Sequence, residues 1–219
     1  MAKRKRKSLL GPSATIAVND ALVPRQERSK RRADAIVKVA RALIAKHGVL
    51  GLKMSEIAAN ARLPIGSIYQ YFPTRSALIA HLFARNLETY HELGRKCLGE
   101  VTSATDCVAA IRRLLLEVYR DNKRDILMRE IWSGVRADRA IRQLHLADSE
   151  FFAQLFFSAI KRVGSDQPDE KLYQRCRIVN EMWDGTIRLA ITMDKRDGEA
   201  LLEESLLLGL SDLGLLSRS

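Results

Sequence analysis

The chain has 219 residues, 47% of them apolar, which is enough for a buried core and excludes disorder throughout. Its net charge of +11 is lopsided: residues 1–85 hold 17 Lys+Arg against 4 Asp+Glu, whereas residues 86–219 hold 20 against 22. A basic part joined to a near-neutral part fits a nucleic-acid-binding unit attached to a regulatory or assembly unit, because neutralising phosphates is the main source of affinity for DNA.

Residues 1–28 mix a basic run at 3–7 with Gly11, Pro12, Ser13, Asn19 and Pro24, and are read as a flexible basic tail. Such an arm either lies in a DNA groove or is simply solvated. From 29 to 47 the apolar positions Ala33, Ile36, Val37, Ala40, Leu43 and Ile44 follow the rhythm of an amphipathic helix, and Gly48 is placed to stop it. Its other face carries Lys30, Arg31, Lys38, Arg41 and Lys46, some within reach of a DNA backbone.

The next stretch, KMSEIAANARLPIGSIYQYFPTR at 53–75, is the most specific signal in the chain. Met54, Ile57, Ala58 and Ala61 recur at helical spacing, a break follows at 62–64, and a second short helix turns Ile68 and Phe72 inward. That is a helix-turn-helix pattern. The second helix is too short to stand alone, yet it offers Ser67, Tyr69, Gln70 and Tyr71 on faces not needed for packing. Thr74 is an N-cap for a connector helix over 76–98 that passes through Leu78, Leu82, Tyr90 and Leu93.

Beyond residue 99 every strong signal is helical, with helices expected at about 106–120, 124–137, 139–163, 170–193 and 198–216. The last is apolar on more than one stripe. Leu202, Leu206, Gly209 and Leu213 form one face, Leu201 and Leu208 another, and Leu207 and Leu210 broaden both. Together with Ile178 and Met182 of the preceding helix, the positions Leu202, Leu206, Gly209, Leu210 and Leu213 are expected to form a four-helix seam between two copies of the chain.

Cys97, Cys107 and Cys176 are too far apart for a disulfide framework or a CxxC site, and point to a reducing cytoplasm. No segment is apolar enough to span a membrane, and the opening basic cluster lacks a sustained apolar run after it, so an unprocessed, soluble chain is expected. His47, His81, His91 and His145 show no metal-ligand spacing, and neither a GxSxG elbow nor a phosphate-cradling loop is present. Neither catalysis nor a cofactor or metal is expected.

The run 36–82 resembles the N-terminal domain of TetR/AcrR-type repressors, most sharply in Ser55-Glu56-Ile57-Ala58, in Gly66-Ser67-Ile68-Tyr69-Gln70-Tyr71-Phe72 and in Pro73-Thr74-Arg75-Ser76-Ala77-Leu78. The resemblance implies an all-α protein: an N-terminal three-helix helix-turn-helix DNA-binding domain (29–75), a connector helix (76–98) and a C-terminal helical bundle (99–219) for ligand binding and dimerisation. It implies that Ile65, Gly66, Ser67 and Gln70 face bases in the major groove, while Lys53, Tyr69, Tyr71 and Arg75 meet phosphates. Three positions depart from the family pattern. Lys53 replaces a capping Ser or Thr, Arg62 stands where glycine is usual, and Pro64 stands where a capping serine is usual.

The likeness further implies a homodimer on a near-palindromic double-stranded DNA operator, acting as a repressor that an unknown small-molecule effector releases. Tyr119, Trp132, His145, Phe152, Phe156 and Trp183 are the candidates for lining the effector site, with Arg129 and Glu130 as polar neighbours. The alternative is an effector-independent dimeric DNA-binding protein in chromosome organisation or under protein-partner control. No membrane partner is expected.

Overall fold

Helix α1 (Leu22–His47) begins before the position that the apolar spacing marks. Pro24 does not prevent this, because it sits in the first turn, where backbone N–H groups have no intrahelical acceptor to lose. The structure, a computed structural model, describes residues 22–134 and 138–216, with side chains at 22–26, 126 and 132–134 left aside. The basic run at 3–7 lies outside the described residues.

After α1 come α2 (Met54–Ala61), α3 (Ile65–Tyr71), α4 (Arg75–Leu98), α5 (Ala104–Arg124), α6 (Ile126–Gly134), α7 (Arg139–Arg162), α8 (Asp169–Ala190) and α9 (Lys195–Asp212). The described residues form no strand, and the all-α expectation holds. Several boundaries are set by local chemistry: Thr74, Ser103, Asp138 and Asp194 each accept a hydrogen bond from a first-turn N–H of the following helix. Among the described residues no helix is long and apolar enough to cross a membrane.

Two apolar cores form. The first gathers Ile36, Ala40 and Ile44 of α1, Ile57 and Ala58 of α2, Ile68 of α3 and Leu78, Leu82 and Phe83 of α4. It does not end with the connector: Leu127, Met128 and Ile131 of α6 and Ile141 of α7 are buried in the same cluster. The second core joins α5, α7, α8 and α9 around Ile111, Leu114, Phe156, Ile160, Cys176 and Trp183. Helix α4 belongs to both, since its Leu98 packs in the second core.

Helix α9 corrects the sequence reading. Leu202, Leu206, Gly209, Leu210 and Leu213 lie inside the protomer's own second core, so they are not available to a partner. The reason is close packing of α9 on α8. A Cβ at Gly209 would stand 2.6 Å from Trp183 Cζ2 and 2.7 Å from Val179 Cγ1, so only glycine lets the two helices approach this far. The Trp183 indole N–H also donates to the Ser205 carbonyl at 2.9 Å. The apolar side chains left outside are Ile178 and Leu189 of α8 and Leu207 and Leu208 of α9, with Ile178 and Leu208 67% and 65% exposed. Met182 is half-buried at their margin.

Candidate nucleic-acid interface and effector cavity

The α2–α3 unit is held by a turn that departs from ordinary backbone geometry. Arg62 adopts φ 54° and ψ 41°, the left-handed region, and its N–H bonds Ala59 O at 3.2 Å while the Leu63 N–H reaches Ala58 O at 3.0 Å. This satisfies the last α2 carbonyls in the way a glycine usually does, but with a side chain that costs roughly 1 kcal/mol in that region. Lys53 supplies no side-chain cap to α2; its Nζ instead lies 3.8 Å from Glu56 Oε1. Pro64 likewise leaves α3 without a side-chain cap, as expected from its missing hydroxyl.

Helix α3 divides cleanly. Ile68 is fully buried, and Phe72 just beyond it is nearly so. Ile65, Tyr69 and Gln70 are exposed, and a Cβ built on Gly66 would meet no atom within 4 Å. Ile65 is 43% and Tyr69 47% exposed, so two large side chains one turn apart stand on the outer face of α3. Ser67 is half-buried. Tyr71 has its ring against the first core and its hydroxyl accepts from Ser29 Oγ at 3.2 Å. Ser29 was not marked by the sequence pattern, because its partner lies 42 residues away. Arg75 stays exposed and donates through Nη1 to the Leu50 carbonyl at 3.1 Å, tying the start of α4 to the turn before α2. Of the α1 cations, Arg41 is committed to Asp125 at 2.7 Å and so faces the second half of the chain.

The second half grips this unit from one side. Met128 and Ile131 of α6 are fully buried in its core, and the Val49 N–H donates to Glu130 Oε2 at 3.4 Å. Ser76 Oγ donates to Asp138 Oδ2 at 2.5 Å, and the same carboxylate caps α7 by accepting from the Ala140 and Ile141 N–H groups. The Ser76 hydroxyl, above all, holds the Asp138 carboxyl below the usual carboxylate range.

Between α4, α5, α7 and α8 lies a cavity of ≈ 60 Å³. Its apolar lining comes from Leu87, Leu114, Leu115, Val118, Phe152, Phe156 and Ile187, and its polar groups are Tyr90, His145, Asp148, Asn180 and Asp184. His145, Phe152 and Phe156 are where the sequence reading put them. Tyr119 and Trp183 are not: both are 1% exposed and stand in the second core behind the wall, Trp183 edge-on to Phe156 at 5.4 Å. The Trp132 side chain lies outside the described residues. Sequence missed Tyr90, Asp148, Asn180 and Asp184, which converge from three helices. Burial pushes the Tyr90 hydroxyl up to about 12, so it remains a neutral donor. Asp148 is tied to α4 by His91 Nε2 at 2.7 Å, whose ring stacks on Phe151 at 3.9 Å.

Cys107 and Cys176 are buried in the second core and do not line this cavity. Burial raises the Cys107 thiol to about 11 and the Cys176 thiol to about 12, which leaves both protonated and poorly nucleophilic at neutral pH.

A short helix with one buried and one bare face, braced on a second helix and set in a basic half-chain, defines a helix-turn-helix DNA-binding protein. Residues 36–82 match the family described as bacterial regulatory proteins, tetR family, and residues 103–211 match the tetracyclin repressor-like C-terminal domain. The chain belongs to the TetR family and is a DNA-binding transcriptional regulator. It is 26% identical over 184 residues to the HTH-type transcriptional repressor KstR of Rhodococcus jostii, covering 83% of this chain and 81% of that one. Among solved structures it is similar to a TetR-family transcriptional regulator from Streptomyces coelicolor (TM-score 0.62, 24% identity, 87% of this chain and 99% of that one). It is also similar to the SmeT–triclosan complex (TM-score 0.62, 18% identity, 81% and 91%).

Proposed function

We propose that this regulator is a repressor that binds a near-palindromic operator as a homodimer and is released when a small, largely apolar effector opens the α4–α5–α7–α8 cavity. The observation that carries the reading is the bare outer face of α3, where Ile65, Gly66 and Gln70 stay exposed among the described residues although Ile68 behind them is fully buried. Gln70 suits bidentate pairing with an adenine edge, Ser67 a single base or phosphate contact, and the glycine a close backbone approach. Lys53, Tyr69, Tyr71 and Arg75 would set the register through phosphates. Repression is supported by relatives that are themselves named transcriptional repressors.

Release follows from how α4 is shared. Its first turns pack in the DNA-reading core through Leu78 and Leu82, and its later turns wall the cavity through Leu87 and Tyr90. A volume of ≈ 60 Å³ is far below the roughly 300 Å³ or more that encloses a drug-sized ligand, so occupancy must move a wall. Moving α4 or α7 shifts the reading helix, and two such helices must meet grooves about 34 Å apart. Effector and DNA then weaken each other by the same factor. The SmeT–triclosan complex shows a small molecule bound in a protein of this fold. The narrowness of the cavity also favours a second reading, an effector-independent dimeric DNA-binding protein.

Selection of bound sequences from random duplexes tests the reading. The expected outcome is a two-fold symmetric motif; Gln70→Ala should relax preference at one base pair per half-site, at about 1–3 kcal/mol. Tyr71→Phe should instead weaken all duplexes alike. Absence of any selected motif would remove the operator claim. Retention of the motif with no apolar compound able to release the DNA would select the second reading.

A further inference from the structure

Away from the reading helix, one trio among the described residues brings an imidazole and two carboxylates together. Glu181 and Asp184 are three residues apart on α8, which puts both carboxylates on one helix face. His145 of α7 stands opposite: its Nε2 is 3.8 Å from Glu181 Oε2 and 3.9 Å from Asp184 Oδ2. One ligand atom from each of the three lies within 4.8 Å of the others. These gaps are too long for hydrogen bonds between the groups. A tetrahedral ion with bonds of roughly 2.0–2.2 Å spaces its ligand atoms about 3.4 Å apart, so the two imidazole–carboxylate gaps close by about 0.5 Å and the carboxylate pair, within 4.8 Å, by at most about 1.4 Å.

A further contact aims the glutamate. Ser149 Oγ donates to Glu181 Oε1 at 2.5 Å and itself accepts from Asn180 Nδ2 at 3.3 Å, which leaves Oε2 as the oxygen turned to the imidazole. Outer hydrogen bonds of this kind orient metal ligands. His145 and Asp184 also wall the cavity, which gives a cation a route in. Arg188, one turn along α8, pairs with Asp184 and competes for the same oxygen, so affinity is set below that of a closed structural site.

We propose that His145 Nε2, Glu181 Oε2 and Asp184 Oδ2 bind one divalent transition cation of the zinc class, bridging α7 to α8 and leaving its remaining position to water. An imidazole with two carboxylates suits zinc, cobalt or nickel, whereas magnesium and calcium prefer all-oxygen sets. Spacing along the chain carries no sign of this, because the histidine and the carboxylates are on different helices.

The test needs neither DNA nor effector. Purified full-length protein is titrated with Zn²⁺ against a chromophoric chelator, and with Co²⁺ while its visible absorption is followed. One saturable equivalent per chain is expected, with a tetrahedral-type cobalt spectrum. His145→Gln and Glu181→Gln should each abolish it, Ser149→Ala should weaken it about 10–100-fold, and His47→Gln, remote on α1, should leave it intact. Glu181 is about half exposed, so its variant keeps the fold, as far-ultraviolet circular dichroism will verify. No saturable binding, or binding that survives both His145→Gln and Glu181→Gln, overturns the site. Equal competition by Mg²⁺ does so too.

Discussion

Arg62 carries the sharpest residue-scale conflict among the described residues: an arginine held at φ 54° where the turn between α2 and α3 needs a left-handed residue. Replacing it with glycine removes the Cβ penalty of about 1 kcal/mol, partly offset by the greater freedom of glycine in the unfolded chain. Arg62→Gly is therefore expected to raise stability by about 0.5 kcal/mol, read as a higher urea midpoint with an unchanged slope. Asp138 makes a second prediction. Its carboxyl is held below the ordinary range, so the charged form is favoured in the folded state. That contribution is present above the ordinary carboxylate pKa and is lost as pH falls through the depressed value. Ser76→Ala should bring the Asp138 pKa back toward its ordinary value in NMR titration and flatten the acid limb of the stability profile. An unmoved titration would remove the Ser76 contact from the argument.

At the scale of elements, the helix-turn-helix was legible because its evidence is local. The inward positions Ile57, Ala58 and Ile68 and the outward Gln70 follow from helical period alone. The same reasoning failed on α9. Its leucines run round the helix, so period could not say which of them face α8 and which face outward. The buried stripe is Leu202, Leu206 and Leu210, and the bare one includes Leu207 and Leu208. The cavity wall was half legible for a related reason. Large aromatics on α7 announce themselves, whereas Tyr90, Asn180 and Asp184 look like ordinary helix-surface residues until three helices converge. Gly209 offers a direct check of α8–α9 packing. Gly209→Ala drives a methyl into Trp183 and Val179 and should cost about 1–3 kcal/mol, with a shift in the tryptophan emission. A neutral result would mean the helices part more easily than their spacing suggests.

For the molecule as a whole, the exposed Ile178, Leu189, Leu207 and Leu208 leave an apolar face on α8 and α9 that the described residues do not cover. A second copy applied about a two-fold axis would place like faces together and form a four-helix seam. Leu208→Asp, which disturbs nothing in the protomer core, should therefore give a monomer by sedimentation while retaining helical content. Operator affinity should fall steeply, because the second half-site is no longer held. A dimer that survives Leu208→Asp together with Ile178→Asp would place the seam elsewhere.

The burial of Leu127, Met128 and Ile131 among the side chains of α1 and α4 has a practical corollary for anyone building hybrids. Cutting the polypeptide after α4 would open a greasy trench under the operator-reading head, leaving it short of its own interior. A graft onto a foreign sensor must therefore carry residues 126–141 along or fill that trench with a substitute.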